Sequence, residues 1–329
     1  MSASDIGIDL GTRNSLVYSA GRGLILSEPS VVIYDKNTER IRAIGEEAKA
    51  MAGKLNSNME MIRPIRQGTI ADYVILEKML KYFISKAMGR RAFIKPRITV
   101  CMPSGTTEIE RKALEEATYQ SGARVVFLAK GPIAAAIGCG LDISKPFGNM
   151  IVDIGGGSTD VAVLSIGGIV VQNTIKVAGD HFNHAIMNDI REKHSLFISE
   201  DMAEEIKVRI GTAIEEAKPR IMEIRGRNVN TGLPKTTTIS SDEIREALKD
   251  TTGQIVDAIH GVLEKTPPEL AADIVDRGIV LTGGGALLHG MDALVEEKTG
   301  VHTLTVQNAM TVLARGTGMY ADVMAKLQG

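Results

Sequence analysis

Two aspartates that each precede a glycine turn carry the clearest chemical signal in this sequence of 329 residues. Asp153 ends an apolar run, Gly155, Gly156 and Gly157 follow, and β-branched residues resume after the turn. This pattern predicts a β-hairpin whose tip is almost entirely backbone. Glycines let backbone N–H groups approach a ligand, and clustered N–H groups bind anions, most often phosphate. Asp153 would hold a hydrated divalent cation beside such phosphates, although an ordinary glycine-rich hairpin is the alternative for this segment alone.

The second aspartate, Asp9, stands in the same setting near the N-terminus. It follows an apolar run and precedes Gly11, Thr12, Arg13 and Asn14, after which a second apolar run begins. The segment repeats the order of strand, aspartate, turn and strand, and its turn adds hydroxyl and amide groups. The repetition strengthens the prediction of a phosphate site.

A third glycine turn lies far along the chain. Ile279–Thr282 has the composition of a strand, Gly283, Gly284 and Gly285 follow, and Ala286 begins an apolar segment compatible with a helix. Such a turn suits the sugar or α-phosphate end of a nucleotide, because a helix N-terminus offers N–H groups and a favourable dipole. Two aspartate hairpins and this turn, in this order, form a specific combination.

These three segments resemble the phosphate-1, phosphate-2 and adenosine motifs of the actin, sugar kinase and heat-shock chaperone ATPase superfamily. Other segments narrow the resemblance to the bacterial actin MreB family, including its close MreB-like paralogues, and it extends over nearly the whole chain. These segments are Ser27–Val32, Ile44–Ala48, Ile62–Ile65, Gly68–Asp72, Met222–Arg227 and Pro267–Gly278.

The resemblance implies an α/β fold of the actin-like type, a duplicated two-lobe ATPase with four subdomains around a nucleotide cleft. The expected boundaries are 1–33, 73–142 and about 312–329 for subdomain IA, 34–72 for IB, 143–183 and about 254–311 for IIA, and 184–253 for IIB.

The resemblance also implies ATP or ADP with Mg²⁺ as the cofactor. Asp9 and Asp153 would face each other and hold the metal mostly through water, and Ser158 would join them as a catalytic group. Glu204 would face the ribose hydroxyls and Lys207 the base, whereas their i, i+3 spacing alone favours a solvated salt pair. The residues expected to contact the nucleotide are Gly11, Thr12, Arg13, Asn14, Gly155, Gly156, Gly157, Ser158, Glu204, Lys207, Gly283, Gly284, Gly285 and Ala286.

Three residues depart from the family pattern. A glutamate that orients or deprotonates the attacking water is expected just before Pro132, where this chain has Gly131, preceded by Lys130. Loss of a positioned general base lowers a rate by about 10²- to 10⁴-fold, so we expect nucleotide binding with slow or absent hydrolysis. Arg13 replaces a small residue and would either contact phosphate or point to solvent, and Ser158 replaces threonine.

A short loop suggests contact with a membrane. Phe93 and Ile94 stand between Arg90, Arg91 and Lys95. Basic residues contribute about 1 kcal/mol each near an anionic bilayer, and the apolar pair could insert into it. The alternative is that the pair begins the next strand and packs inside. The resemblance favours insertion, because MreB-like proteins place an apolar pair in the corresponding loop into the membrane.

Periodicity and capping residues predict several helices. Leu76, Met79, Leu80, Phe83, Ile84 and Ala87 mark one helix face, and residues 107–121 and 132–138 are also compatible with helices. Ser199 is a predicted N-cap, and Ser240 with Glu243 forms a predicted capping box. Helices that alternate with strands predict a parallel or mixed sheet.

Composition limits the remaining possibilities. The net charge of −2, with no basic and aromatic array, gives no reason to expect nucleic acid. The two cysteines, Cys101 and Cys139, lack partner spacing and are expected to be buried thiols in a reducing cytoplasm. No signal peptide or spanning segment is apparent, so we expect a cytoplasmic protein, peripheral to the inner face of the cell membrane.

The leading functional prediction is therefore a filament protein. The chain would bind itself head to tail, in paired protofilaments, and support cell shape together with shape-determining or wall-synthesis membrane proteins and paralogues. In a wall-less bacterium the filaments would serve helical shape and movement. A small-molecule kinase and a chaperone-type ATPase are the alternatives, but we identify no substrate lobe or catalytic base for the first, and no substrate-binding domain follows for the second.

Overall fold

The computed structural model describes residues 5–19, 21–89, 95–102 and 106–328. The strands run over Ile6–Leu10 (β1), Asn14–Ser19 (β2), Gly23–Pro29 (β3), Val32–Asp35 (β4), Arg40–Ile44 (β5), Met59–Ile62 (β6), Ile65–Arg66 (β7), Thr69–Ile70 (β8), Arg97–Met102 (β9), Val125–Lys130 (β10), Asn149–Ile154 (β11), Thr159–Ser165 (β12), Gly168–Ile175 (β13), Leu196–Phe197 (β14), Ile221–Asn228 (β15), Pro234–Ser240 (β16), Ile279–Thr282 (β17) and Thr303–Thr305 (β18). The helices run over Glu46–Met51 (α1), Tyr73–Met88 (α2), Glu108–Gln120 (α3), Gly131–Cys139 (α4), Gly179–His194 (α5), Glu200–Ile210 (α6), Ser241–Leu263 (α7), Pro268–Arg277 (α8), Met291–Thr299 (α9) and Ala309–Gln328 (α10).

Two five-stranded sheets of the same topology form the framework. The first has the order β10-β9-β1-β2-β3 and the second β18-β17-β11-β12-β13. In the first sheet, β1 pairs antiparallel with β2 and parallel with β9. In the second sheet, β11 pairs antiparallel with β12 and parallel with β17. We call the parts built on these sheets the first and second lobes. The repeated topology confirms the predicted duplicated α/β fold.

Each lobe carries a smaller sheet. In the first lobe the order is β5-β4-β6, with α1 beside it, and in the second it is β14-β15-β16, with α5, α6 and α7 nearby. The four subdomain boundaries given above stay a prediction.

The core follows the predicted apolar faces. All five residues of β1 and all six of β11 are buried, as are Leu76, Met79 and Phe83 on α2. Strands buried on both faces need helices on both sides of the sheet, and the helices between strands supply them.

Glycines allow α4 and α10 to pack closely. A Cβ at Gly138 on α4 would overlap the carbonyl O of Val312 on α10, and one at Gly316 on α10 would overlap the carbonyl O of Ala134 on α4. The two helix backbones lie in direct contact, so neither position could hold a side chain.

The predicted caps are only partly present. Ser199 accepts a hydrogen bond from the N–H of Met202 at 3.2 Å, and Ser240 accepts one from the N–H of Glu243 at 3.3 Å. The carboxylate of Glu243, however, contacts His194 Nε2 at 2.6 Å. The predicted capping box is therefore half wrong, because a tertiary contact replaces the return bond.

Among the described helices, none is both long enough and apolar enough to cross a membrane.

Candidate functional site

The three glycine segments converge on one cavity of about 390 Å³ between the two lobes. Both aspartate hairpins and the third turn line it, although they lie far apart along the chain. Of the residues predicted from the sequence, the lining includes Asp9, Gly11, Thr12, Arg13, Asn14, Gly131, Asp153, Gly155, Gly156, Gly157, Ser158, Glu204, Lys207, Gly283, Gly284 and Gly285.

Asp9 and Asp153 stand at equivalent places, next to last in β1 and β11. Burial raises the pKa of Asp9 to about 7. Burial, followed by the charges of Asp160 and Asp9, raises the pKa of Asp153 to about 8. A cation between the carboxylates would offset the charge that burial penalises.

The donor set fits a magnesium ion that keeps most of its water. Among the described residues no three His, Cys, Asp or Glu side chains are grouped to hold a metal directly. Mg²⁺ usually binds through one or two carboxylates and substrate phosphates, and retains water at its other positions. Asp9 and Asp153 would supply the protein part of that shell.

The two hairpin tips lie against each other. A Cβ at Gly157 would come within 2.5 Å of Thr12 Oγ1 and 2.9 Å of the backbone of Gln67. The second tip also accepts hydrogen bonds from the start of α5, from Gly179 N–H to the O of Gly155 at 3.1 Å and from Asp180 N–H to the O of Gly156 at 2.7 Å. These contacts fix the second hairpin tip, Gly155–Gly157, between the first lobe and the N-terminus of α5.

The third turn packs on the end of β11. Gly283 has a φ of 85°, and a Cβ there would come within 2.5 Å of Asp153 Oδ1. The apolar segment that follows is a single 3₁₀ turn, Gly284–Leu287, rather than the expected α-helix. Ala286 is buried and absent from the cavity lining, where Leu287 and Leu288 take part instead.

Glu204 and Lys207 form an ion pair on the wall of the cavity. Lys207 Nζ lies 2.8 Å from Glu204 Oε2, and only 10% of the Lys207 side chain is exposed. Burial lowers the pKa of Lys207 although Glu204 opposes the shift. Burial would raise the pKa of Glu204, but Lys207, Asn183 and Arg13 together hold it below its ordinary value. The pair is therefore not the solvated one that its spacing suggests.

Arg13 reaches from the first hairpin to the second lobe. Its Nε donates to Asp180 Oδ1 at 2.6 Å and its Nη2 to Glu200 Oε1 at 2.6 Å, while Nη1 lies 3.5 Å from Glu204 Oε2. Burial opposes its charge, but Asp180, Glu204 and Glu200 more than compensate and raise the pKa of Arg13. The sequence left two alternatives for Arg13, a contact with phosphate or a position toward solvent. The structure shows a third arrangement, in which the guanidinium binds carboxylates of the second lobe.

Comparison with known proteins shows the family to which this chain belongs. The family model described as MreB/Mbl protein matches residues 3–329. The chain belongs to the MreB/Mbl family. It is 51% identical to the cell shape-determining protein Mbl of Bacillus cereus, over 99% of this chain and 98% of that one. It is 45% identical to the cell shape-determining protein MreB of Escherichia coli K12, over 98% and 95%.

Solved structures agree with the family assignment. MreB5 of Spiroplasma citri bound to ADP superposes with a TM-score of 0.92 at 37% identity, covering 98% of this chain and 97% of that chain. The same protein bound to AMPPNP superposes with a TM-score of 0.92 at 36% identity, covering 99% and 98%. The fold of this MreB/Mbl chain is therefore the actin-like one.

The position of the expected glutamate is open to a side chain. Gly131 begins α4 and lines the cavity, whereas Lys130 is exposed. A Cβ at Gly131 would lie 3.4 Å from the O of Met102 and 3.9 Å from Cys101 Sγ, which is ordinary contact. Neither its φ nor its space requires glycine here.

One acidic residue of the cavity was missed from the sequence. Asp160 is paired directly opposite Asp153 in the β11–β12 hairpin, lines the cavity, and accepts a hydrogen bond from Thr174 Oγ1 at 2.5 Å. Directly opposed residues of an antiparallel pair project to the same face. The register of the predicted hairpin could therefore have identified it.

The predicted membrane loop lies mostly outside the described residues. Arg90, Arg91, Phe93 and Ile94 fall there, and Lys95, which is described, is exposed.

Proposed function

We propose that this MreB/Mbl chain is a cytoskeletal protein that binds ATP or ADP with Mg²⁺ between its lobes and polymerises into membrane-associated filaments that determine cell shape. The observation that carries the proposal is the convergence of both aspartate hairpins and the third glycine turn on one cavity. The names of the Mbl and MreB relatives and the ADP and AMPPNP in MreB5 support it.

The residues have separate tasks in this proposal. Backbone N–H groups of the two hairpin tips, with Thr12 and Ser158, bind the phosphates. Asp9 and Asp153 would hold the magnesium ion, which would neutralise phosphate charge. Glu204 and Lys207 face the nucleoside.

Occupation of the cavity sets the angle between the lobes, and the closed shape stacks head to tail. A heterologous contact of this kind does not close on itself, so it builds an open filament. The nucleotide acts mainly as an assembly ligand, because Gly131 leaves the attacking water without its glutamate.

Sedimentation tests the proposal. Protein with magnesium and either ATP or AMPPNP should pellet and give filaments in negative stain, whereas protein in EDTA without nucleotide should stay in the supernatant. Asp153→Ala serves as the binding-deficient variant and Asp250→Ala, on the exposed face of α7, as its charge-matched control. Absence of nucleotide binding by calorimetry on folded wild-type protein would overturn the proposal.

A further inference from the structure

A charge-balanced cluster joins the two lobes at the edge of the cavity. Arg13 belongs to the first lobe, whereas Asp180 lies in the first turn of α5 and Glu200 begins α6 in the second. Arg63, also in the first lobe, places Nη2 3.8 Å from Glu200 Oε2. With Glu204 and Lys207 of α6, the cluster holds three carboxylates and three cations, and two of the cations, Arg13 and Arg63, reach the carboxylates from the first lobe.

The contacts of Arg13 are unlike those of an ordinary surface ion pair. Only 21% of its side chain is exposed, and two of its nitrogens make hydrogen bonds of 2.6 Å. Charge-assisted hydrogen bonds of this length are about twice as strong as neutral ones. Exposed surface pairs, by contrast, contribute little to stability.

The stem of Arg13 also packs on the opposite hairpin. A Cβ at Gly156 would come within 3.0 Å of Arg13 Cγ and 3.4 Å of its Cβ. The side chain therefore lies along the phosphate-2 segment before its guanidinium reaches α5 and α6. Rotating it toward a phosphate would break its hydrogen bonds to Asp180 and Glu200, and only Arg63, at 3.8 Å, would stay beside Glu200.

We propose that Arg13 is a latch that holds the two lobes together through its bonds to Asp180 and Glu200. The lobes cannot separate at this edge without breaking the bonds to Asp180 and Glu200. The latch keeps the cleft closed independently of the γ-phosphate and slows the exchange of a nucleotide once it is bound. The second consequence rests on the proposed function, whereas the first does not.

Hydrogen exchange of nucleotide-free protein tests the latch. In Arg13→Ala, amides of both hairpin tips and of the first turn of α5 should exchange about tenfold faster than in wild type, because the closed state loses its cross-lobe bonds. Arg13→Lys, which can keep one partner, should fall between. Arg209→Ala is the control, because it removes the same charge from an exposed pair within α6, where Nη1 lies 2.9 Å from Glu205 Oε1. Exchange in Arg13→Ala equal to that of wild type would overturn the proposal.

Two further measurements secure the result. If Arg13→Ala does not fold, Asp180→Asn removes one bond from the other side and should give the same faster exchange, and unchanged exchange there would overturn the latch. Release of a fluorescent ADP, chased with unlabelled ADP, should be faster in Arg13→Ala and unaltered in Arg209→Ala. If wild type binds no nucleotide, the proposed function fails, while the exchange measurement still decides the latch.

Discussion

At the scale of single residues, Gly131 would separate nucleotide binding from hydrolysis in the proposed function. The residue lines the cavity, yet nothing in its backbone or its surroundings requires glycine. A glutamate could therefore be placed there without a clash at its Cβ, which makes its proposed role in hydrolysis testable.

Gly131→Glu should raise phosphate release from assembled protein by about 10²-fold, because a positioned general base contributes about 10²–10⁴. Gly131→Gln is the matched control, since it fills the same space without a base. Phosphate release should be measured above the assembly concentration for all three proteins. An equal rise in phosphate release in Gly131→Gln and Gly131→Glu would contradict the proposal that the glutamate acts as a general base.

Asp9 and Asp153 predict how stability depends on pH. Their pKa values in the folded chain, about 7 and about 8, exceed the ordinary 3.8, so the folded state binds more protons between these values. The stability they contribute is fully present below the unfolded pKa and is lost as the pH rises through the folded pKa. In EDTA without nucleotide, the melting temperature should therefore fall between about pH 4 and about pH 8 and level off above that range.

Asp153→Asn should flatten this decrease and melt higher than wild type at the alkaline end, whereas Asp250→Asn, an exposed carboxylate on α7, should leave the slope unchanged. Scanning fluorimetry across the pH series measures both. An equal slope in wild type and Asp153→Asn would show that the buried carboxylates do not govern it.

At the scale of elements, α4 packs on α10, and both helices contribute residues to the cavity lining. Gly316→Ala would place a methyl group on the carbonyl O of Ala134, which belongs to a helix backbone and cannot turn aside. Overpacking costs about 1–3 kcal/mol, which exceeds the gain of about 1 kcal/mol in helix propensity. We expect a lower free energy of unfolding by urea denaturation.

Gly253→Ala on α7 makes the same chemical change where nothing lies within 4 Å. It should be neutral or stabilising by up to about 1 kcal/mol. Similar changes in the free energy of unfolding for Gly316→Ala and Gly253→Ala would mean that α4 and α10 can move apart enough to accept the methyl group.

Local patterns predicted most elements but not the contacts between distant ones. The apolar face of α2 and the two aspartate hairpins follow from periodicity and glycine turns, and the structure confirms them. The partners of Arg13 lie 167 and 187 residues away, so no local pattern could have found them. The same holds for His194, which engages the carboxylate of Glu243. The 3₁₀ turn after β17 reflects the close packing of Gly285 on Ile154, a tertiary constraint on a helix-compatible segment.

At the scale of the whole molecule, duplication explains why one cleft serves both lobes. Each sheet presents an aspartate at the same strand end, and the two ends meet around a single cavity. Since each lobe supplies half of the site, a ligand there and the proposed Arg13 latch would both act on the angle between the lobes, and filament contacts would respond to that angle.

Assembly would strengthen a weak membrane contact. One copy of the segment with Phe93, Ile94 and three cations would bind weakly, because each basic residue contributes only about 1 kcal/mol. The proposed filaments would present many copies to one surface, and linked sites can raise the overall affinity by about 10²–10⁴. We therefore expect wild-type filaments to float with vesicles of phosphatidylglycerol and phosphatidylcholine, and Phe93→Ser/Ile94→Ser filaments to lose most of this binding while still pelleting with nucleotide. Val74→Ser/Ile109→Ser removes two apolar side chains that are 63% and 80% exposed elsewhere in the first lobe, and should bind vesicles as wild type does. Equal flotation of wild type and both double variants would show that Phe93 and Ile94 do not contribute to membrane binding.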